Sequence, residues 1–245
     1  MTDLTSALTS QSTYSTARRH RLTSDRVRQS EGRVMATGHD QRRDPESVLN
    51  ALHHNVTGEL LRLIDGFYSN IEDGLFELAY RTGDEGQRRR CFDLMRELRF
   101  RRTGLVKAFA RSMDRYRGLW FDQDESHDTE VATGHELDQL IMRMAEKSSS
   151  HFSGVLQCIA ERAEVATGRP FKGGHDIPIA PRRVARAFVV SCRSLKLDHA
   201  SIEIVQDLFS RFVLDGLGNI YGQCNLRLHG EGFATADELG IASGA

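Results

Sequence analysis

The stretch from Ile177 to Leu228 carries the clearest helical pattern in the chain, and it constrains the fold more than any other feature. Apolar residues in its second half recur at steps of three and four, the period of a helix that buries one face. They are Ile202, Val205, Leu208, Phe209, Phe212, Val213, Leu217, Ile220 and Tyr221. Pro181 fits the first turn of a preceding helix, Asp198 the N-cap of the second, and Gly230 its left-handed C-terminal cap. We predict two amphipathic helices joined by a short turn, whose apolar stripe either packs in a core or docks a partner helix.

Three further segments show helical signals. Asp44-Pro45-Glu46 is a typical helix start, with an N-cap, a proline at the first position and an acid in the first turn. The pattern after it predicts a helix to about Tyr68, and then either a break over 70–74 or a helix that continues with a kink. Residues 85–119 predict one long helix, and residues 135–168 predict another. Strand patterns do not alternate with these helices, so we predict an all-α fold of about six helices.

Two phenylalanines count among the apolar positions of these helices. Phe76 lies with Ile71, Leu75 and Leu78 on a second apolar face of the first segment. Phe92 is one of the apolar positions of the long helix. The pattern therefore predicts an apolar face on each of these two helices.

The two ends of the chain differ from the middle in composition. Residues 1–43 are rich in Ser, Thr, Gln and Arg and have few large apolar side chains. Such a segment cannot bury enough surface to offset the entropy lost on ordering, so we predict a disordered, basic and polar tail. Residues 231–245 are predicted to be a flexible C-terminal tail. A single helical domain is therefore expected over residues 44–230.

Cysteine usage and the N-terminal sequence indicate the compartment. The four cysteines form no CxxC pair, and buried free thiols suit a reducing cytoplasm. They are Cys91, Cys158, Cys192 and Cys224. No stretch reaches the ~20 apolar residues of a membrane span, and residues 1–15 lack the basic start and apolar core of a secretory signal. We predict a cytoplasmic protein without a membrane-spanning segment.

Arginine is concentrated on the helix predicted over residues 85–119. The sign then reverses, because residues 121–138 contain seven acids and no Lys or Arg. The net charge of −1 gives no global signal for nucleic acid. The arginine face or the basic tail could still contact phosphates, and the acidic segment could instead cover that face as an internal partner. The candidate interaction surface, on this helix and the one after Pro181, consists of Arg96, Arg99, Arg101, Arg102, Arg182, Arg183 and Arg186.

No recognised catalytic or metal-binding motif is present in the sequence. Residues 168–175 have glycines and basic side chains but lack the GxxxxGK[ST] order of a phosphate-binding loop. GxSxG and Cys–His motifs are absent as well. Carboxylates and imidazoles of the acidic segment could form a metal site, although no recognised ligand spacing fixes their geometry. They are Asp124, His127, Asp128 and His135. We predict no catalytic residues, no cofactor and no bound metal.

Two separated blocks resemble a known family. The runs IPIAPRRVARAF and LFSRFVLDGLGNIY and the block from Leu60 to Arg102 are similar to domain-of-unknown-function family 1631, a group of mostly proteobacterial proteins. The resemblance covers about residues 48–230. Long members often carry the label thymidine phosphorylase and continue into a PilZ-like C-terminal region, which the resemblance does not include. The family has no established catalytic residues, so the resemblance implies none, and this sequence offers no support for the phosphorylase label.

These observations favour a non-enzymatic cytoplasmic module for protein interaction or regulation. Long amphipathic helices without a catalytic motif motivate this prediction, and in long relatives the matching region is coupled to a separate sensor-like region. The expected partner is another protein or a second copy of the chain. The alternative is nucleic-acid binding through the Arg-rich helix 85–119. A helical enzyme or nucleotide-binding protein is a third hypothesis.

Overall fold

The computed structural model describes residues 44–122, 135–195 and 199–240 of the chain. These residues form seven α-helices and two short 3₁₀ helices, with no strand among them, so the all-α prediction is confirmed. The α-helices are α1 (Pro45–Arg81), α2 (Glu85–Arg115), α3 (His135–His151), α4 (Ser153–Thr167), α5 (Pro181–Cys192), α6 (His199–Phe212) and α7 (Gly218–Gly230). The 3₁₀ helices are Tyr116–Trp120 and Leu214–Gly216. The tail predicted over residues 1–43 and most of the acidic segment lie outside the described residues.

Helices α1 and α2 form a long antiparallel hairpin around the turn 82–84. Asp44 caps α1 by accepting a hydrogen bond from the Ser47 N–H at 3.1 Å, with Pro45 in the first turn. Asp84 caps α2 in the same way through the Gly86 N–H at 2.8 Å. Both caps satisfy a backbone donor that a helix start leaves without a partner. The hairpin therefore has well-defined starts on both helices, as the sequence predicted for the first.

Helix α1 is unbroken over its 37 residues, so of the two alternatives over 70–74 the structure has the continuous helix. Gly74 lies against α6, where an added Cβ would stand 3.2 Å from Leu208 Cδ2. Ile71 and Leu75 are buried on either side of this glycine. Glycine inside a helix costs ~1 kcal/mol relative to alanine, and the close packing of α1 on α6 outweighs this cost.

Three helices end earlier than their sequence pattern predicted. Helix α2 gives way to a 3₁₀ helix at Tyr116, α3 and α4 are separated at Phe152, and α6 and α7 are separated by Leu214–Gly216. At each break a large apolar side chain enters the core, so its burial outweighs the continuity of the helix. These side chains are Trp120, Phe152 and Leu214.

The apolar stripe predicted in the 177–228 stretch lies in the core. Phe188 of α5 and Phe209 of α6 stack with ring centroids 3.7 Å apart. Phe67 of α1 meets both rings edge-on, at 5.7 and 5.8 Å. Aromatic pairs in such arrangements contribute ~0.5–1.5 kcal/mol beyond the burial of their area. Three helices therefore meet at one aromatic cluster, and most of the stripe packs in the core, although Phe212 is exposed.

The end of α7 differs from the prediction by two residues. Gly230 is the last helical residue, and the left-handed position is Gly232, with φ of 87°. The Gly232 N–H donates to His229 O at 2.9 Å and the Phe233 N–H donates to Leu228 O at 3.1 Å, which satisfies carbonyls of the last turn. Pro181 in the first turn of α5 is confirmed. The N-cap predicted at Asp198 lies outside the described residues.

Phe233, Ala234 and Thr235 pack on the domain and Glu238 contacts it, whereas the sequence predicted a flexible tail from residue 231. Thr235 is buried, and Phe233 is half-buried against the core. Glu238 accepts two hydrogen bonds from the guanidinium of Arg162 in α4, at 2.6 and 2.9 Å. The folded part of the chain therefore continues past the predicted end at residue 230.

Candidate interaction surface

Two arginines of the predicted surface tie α2 to α1. Arg99 contacts the Glu72 carboxylate with both sides of its guanidinium, and its Nε lies 2.8 Å from Oε1. Arg102 donates to the Asp65 carboxylate and, at 3.1 Å, to Ser69 Oγ. Hydrogen bonding to Arg99 lowers the pKa of Glu72, and the same contact raises the pKa of Arg99. These two side chains link α1 and α2 across the outer side of the hairpin, but the pairs are exposed and add little to its stability.

The other two α2 arginines are anchored less firmly. Arg101 donates to the backbone carbonyl of Ser194 at 3.0 Å and pairs with Glu97 at 2.5 Å. Arg96 is highly exposed and pairs with Asp93 in its own helix at 2.9 Å. Exposed pairs of this kind contribute ~0–1 kcal/mol. Arg96 can therefore leave Asp93 and bind an external partner with little loss of stability.

The α5 arginines lie in another part of the domain. The Arg183 guanidinium stands 5.5 Å from the centre of the Tyr116 ring, and Arg186 donates to Asp138 at 3.0 Å. Both side chains are largely buried. Arg182 is exposed in the first turn of α5, a helix that packs along α2. The α2 arginines and the α5 arginines therefore contact different neighbours.

Four exposed aromatic rings lie along the α1–α2 hairpin, on the side that faces solvent. Phe76 is 55% exposed, Tyr80 84%, Phe92 46% and Phe100 85%. Phe76 and Phe92, which the sequence placed on apolar faces, meet edge to face across the hairpin with centroids 6.4 Å apart. Tyr80 follows Phe76 by about one turn, and Phe100 follows Phe92 by about two. We define the hairpin face as these rings and three charged neighbours: Phe76, Tyr80, Phe92, Phe100, Asp73, Arg89 and Arg96.

The charges of the hairpin face are divided between its two helices. Asp73 precedes Phe76 by three residues in α1, and Arg89 precedes Phe92 by three residues in α2. Arg96 follows Phe92 by four. Spacings of three and four bring side chains to the same side of a helix. Helix α1 therefore supplies Asp73 beside the aromatic rings, whereas α2 supplies Arg89 and Arg96, with Asp93 paired to Arg96.

A polar groove of about 550 Å³ lies between α1 and α7. Its floor consists of the buried residues Leu52, Val56, Ile220 and Cys224. Its rim is polar and consists of His54, Asn55, Glu59, Arg62, Asn219, Gln223 and Arg227. Burial raises the pKa of Cys224 to about 12. The thiol is therefore protonated at neutral pH and is a poor nucleophile or metal ligand.

A smaller apolar groove of about 220 Å³ lies where α3, α5 and α6 meet. Leu137, Val189 and Ile202 are among its lining residues. Burial also raises the pKa of Cys192, which lines this groove, to about 12. Neither groove therefore offers a reactive thiolate.

His53 is buried and held on both ring nitrogens. Nε2 donates to the Met113 carbonyl at 2.8 Å, and Nδ1 accepts from the Trp120 indole N–H at 3.3 Å. Burial lowers the pKa of His53, and this effect exceeds that of the hydrogen bond to Met113, which raises it. The neighbouring His54 is exposed, as expected for adjacent residues that point about 100° apart. His53 thus joins α1 to the end of α2 as a neutral side chain.

Arg162 is a buried charged residue that the sequence analysis did not single out. It is 3% exposed and donates to Asn225 Oδ1 at 2.7 Å and to the Phe233 carbonyl at 2.5 Å, besides its contact with Glu238. The hydrogen bond from Arg162 is the main cause that lowers the pKa of Glu238 to about 2. The position of Arg162 beside the apolar stripe of α4 is visible in the sequence, but its hydrogen-bond partners Asn225 and Glu238 lie 63 and 76 residues later.

Within the described ranges, no group of three or more His, Cys, Asp or Glu side chains is placed to hold a metal ion. Asp124, His127 and Asp128 lie outside those ranges, as does the side chain of His135, so the absence of a metal site there stays a prediction. None of the helices in the described part of the chain has the length and apolar composition needed to span a bilayer.

Comparison with known proteins places the chain in a family. Residues 44–232 match the family described as "Protein of unknown function (DUF1631) N-terminal domain". No curated protein and no solved structure matches the chain significantly. The matched segment begins at the cap of α1, ends just after α7 and covers more than half of the 245 residues. The chain therefore belongs to the DUF1631 family, as the resemblance of its two sequence blocks indicated.

Proposed function

We propose that this domain is a protein-interaction module that acts by binding rather than by catalysis, with the hairpin face as its docking surface. The observation that carries the proposal is the group of four exposed aromatic rings on α1 and α2. An aromatic side chain removes ~150–250 Å² from water when fully buried, so the exposed parts of these rings leave about 500 Å² of apolar surface in water. Exposed apolar patches of several hundred Å² are often functional, and two of these rings, Phe76 and Phe92, are in contact.

The composition and support of the hairpin face suit a docking role. Aromatic residues and arginine are the side chains enriched at protein interfaces and among the residues that dominate binding energy. The rings project from two long helices that Arg99–Glu72 and Arg102–Asp65 hold in register. A preorganised surface loses little conformational entropy when a partner binds.

The chemistry of the buried titratable groups also favours binding over catalysis. Burial raises the pKa of Tyr68 and of Tyr221, and the Tyr221 hydroxyl donates to the Ile179 carbonyl at 2.9 Å. Burial likewise keeps Cys192 and Cys224 protonated. These groups serve packing and internal hydrogen bonding, where a catalytic nucleophile or base needs access to substrate.

Nucleic-acid binding through α2 is the second candidate, because Arg89 and Arg96 are exposed on the hairpin face. Phosphates would have to compete with Glu72 for Arg99 and with Asp65 for Arg102. This candidate predicts binding that weakens steeply with salt. Substituting Arg89 and Arg96 with Glu tests it without breaking the contacts between α1 and α2.

The test is a pull-down from native lysate of the source organism with the tagged full chain, with and without nuclease. The face variant is Tyr80→Ala/Phe100→Ala, because these two rings are the most exposed and contribute least to folding. The control is Met142→Ala/Leu226→Ala, which truncates exposed apolar side chains on other helices. A protein captured near one-to-one by wild type and control but not by the face variant, in both lysate halves, supports the proposal. Equal capture by the face variant refutes it, and capture that nuclease abolishes favours nucleic acid.

A further inference from the structure

We infer that the partner of the hairpin face is a second copy of this chain, docked face to face about a two-fold axis that runs parallel to the hairpin. This inference rests on the proposed function, because it names the partner of the same surface. It is carried by the placement of charge on that surface, where Asp73 belongs to α1, and Arg89 and Arg96 belong to α2, which keeps an excess of positive charge although Asp93 pairs with Arg96. A two-fold axis in this direction sets α1 of one copy against α2 of the other.

The heights of the charged residues along the hairpin match in pairs. Asp73 lies nine residues before the turn at Thr82, about 14 Å along the helix, and Arg96 lies twelve residues after Asp84, about 18 Å along its helix. The side chains of both helices lean toward their own N-termini, so that of Arg96 leans toward the turn and that of Asp73 leans away from it. The carboxylate and the guanidinium therefore reach the same height.

The second pair lies near the turn. Measured along the helix axes from the turn, Tyr80 lies about 3 Å from Thr82 and Arg89 lies about 8 Å from Asp84. The Tyr80 side chain leans away from the turn and the Arg89 side chain leans toward it, so that the two reach a similar distance from the turn. In the two-fold arrangement Asp73 of each copy faces Arg96 of the other, and Arg89 of each copy faces the ring of Tyr80. An arginine over a tyrosine ring is a favourable cation–π contact. Because the interface is symmetric, each contact forms twice.

The other face-to-face arrangement lacks this complementarity. A two-fold axis perpendicular to the helices sets α2 against α2, so that the arginine side of one copy meets the arginine side of the other. Like charges in apposition oppose association. The division of charge between the two helices thus selects the parallel axis.

The available area sets the expected strength. Two copies contribute about 1,000 Å² of exposed aromatic surface, with Phe76 and Phe92 at the centre and the stems of the flanking side chains around them. That total reaches the lower bound of specific interfaces and stays below the usual size of about 1,600 Å². We therefore expect a dimer in a concentration-dependent equilibrium with the monomer.

The arrangement is tested by reversing the charge of Asp73 or of Arg96 and then combining the two changes. Association of the full chain is measured by sedimentation velocity over a range of concentrations. Asp73→Arg and Arg96→Asp each replace two attractions with two repulsions and are expected to weaken the dimer by at least about tenfold. Mixing the two variants, or combining both substitutions in one chain, restores opposite charges and is expected to restore the dimer. Glu146→Arg, at an exposed position of α3, is the control and keeps wild-type association. Circular dichroism confirms that each variant is folded.

Three outcomes overturn the inference: a wild-type chain that is monomeric at every concentration, single variants that dimerise like wild type, or a mixture that stays monomeric. A monomeric wild type that still captures another protein through Tyr80 and Phe100 overturns the inference and leaves the proposed function standing. A chain that neither dimerises nor captures a partner through those rings overturns both.

Discussion

Replacing Arg162 with methionine is expected to destabilise the domain and release its C-terminal segment. The guanidinium of Arg162 joins α4 to Asn225 of α7 and to Phe233 and Glu238 beyond it. Methionine keeps most of the apolar stem of arginine and removes every donor. The substitution therefore tests the hydrogen bonds of the group rather than its volume.

The expected magnitude follows from the two least hydrated partners. Arg162 donates to Asn225 Oδ1 at 2.7 Å and to the Phe233 carbonyl at 2.5 Å, and both acceptors are in partly buried surroundings. A hydrogen bond that involves a charged group contributes ~1.5–3 kcal/mol to stability, and part of that is regained where water reaches the acceptor. We expect the free energy of unfolding to fall by about 3 kcal/mol, and Glu238 adds little to this loss because it is already exposed to water.

Urea unfolding measures this change, followed by circular dichroism and by the fluorescence of Trp120, the only tryptophan of the chain. Hydrogen exchange over residues 231–240 reports release of the segment. Arg143→Met, at an exposed position of α3, is the matched control and should stay within ~0.5 kcal/mol of wild type. A loss below about 1 kcal/mol for Arg162→Met, with residues 231–240 still protected, would refute the reasoning.

Two further predictions concern His53 and the glycines. The lowered pKa of His53 means that the unfolded chain takes up its proton near pH 6.5 while the folded chain resists it, so the free energy of unfolding should fall as pH drops through and below that value. His53→Gln should flatten this dependence in urea titrations at several pH values, and an unchanged slope would contradict it. Gly174→Ala should destabilise the domain by more than 1 kcal/mol, since its Cβ would stand 2.6 Å from the Leu156 backbone. Gly58→Ala, in an open position of α1, should instead raise the thermal midpoint through a gain of ~1 kcal/mol, and equal effects of the two substitutions would count against the argument.

The helices and the core could be read from the sequence because both depend on local spacing. The stripe that includes Phe209 and Leu217 is buried as its 3.6-residue period predicted. Local spacing could not predict the helix breaks at Phe152 and at Leu214–Gly216, because these depend on which side chains the packing of the other helices buries. The burial of Arg162 could not be predicted for a related reason, because its partner Glu238 lies 76 residues later, after the apolar pattern has ended.

Helical spacing does not determine which of two neighbouring apolar residues faces the core. Successive residues of a helix point about 100° apart, so Leu75 and Phe76 cannot both face the core, yet a count of apolar positions places them together. The structure buries Leu75 and turns Phe76 outward onto Phe92. The α1–α2 hairpin is held instead by its core-facing residues and by the pairing of Arg99 with Glu72, which depends on a register that the sequence does not state. Because Tyr80 and Phe100 are the most exposed of the four rings, truncating them should remove binding and leave the fold intact, which is the separation that a docking surface requires.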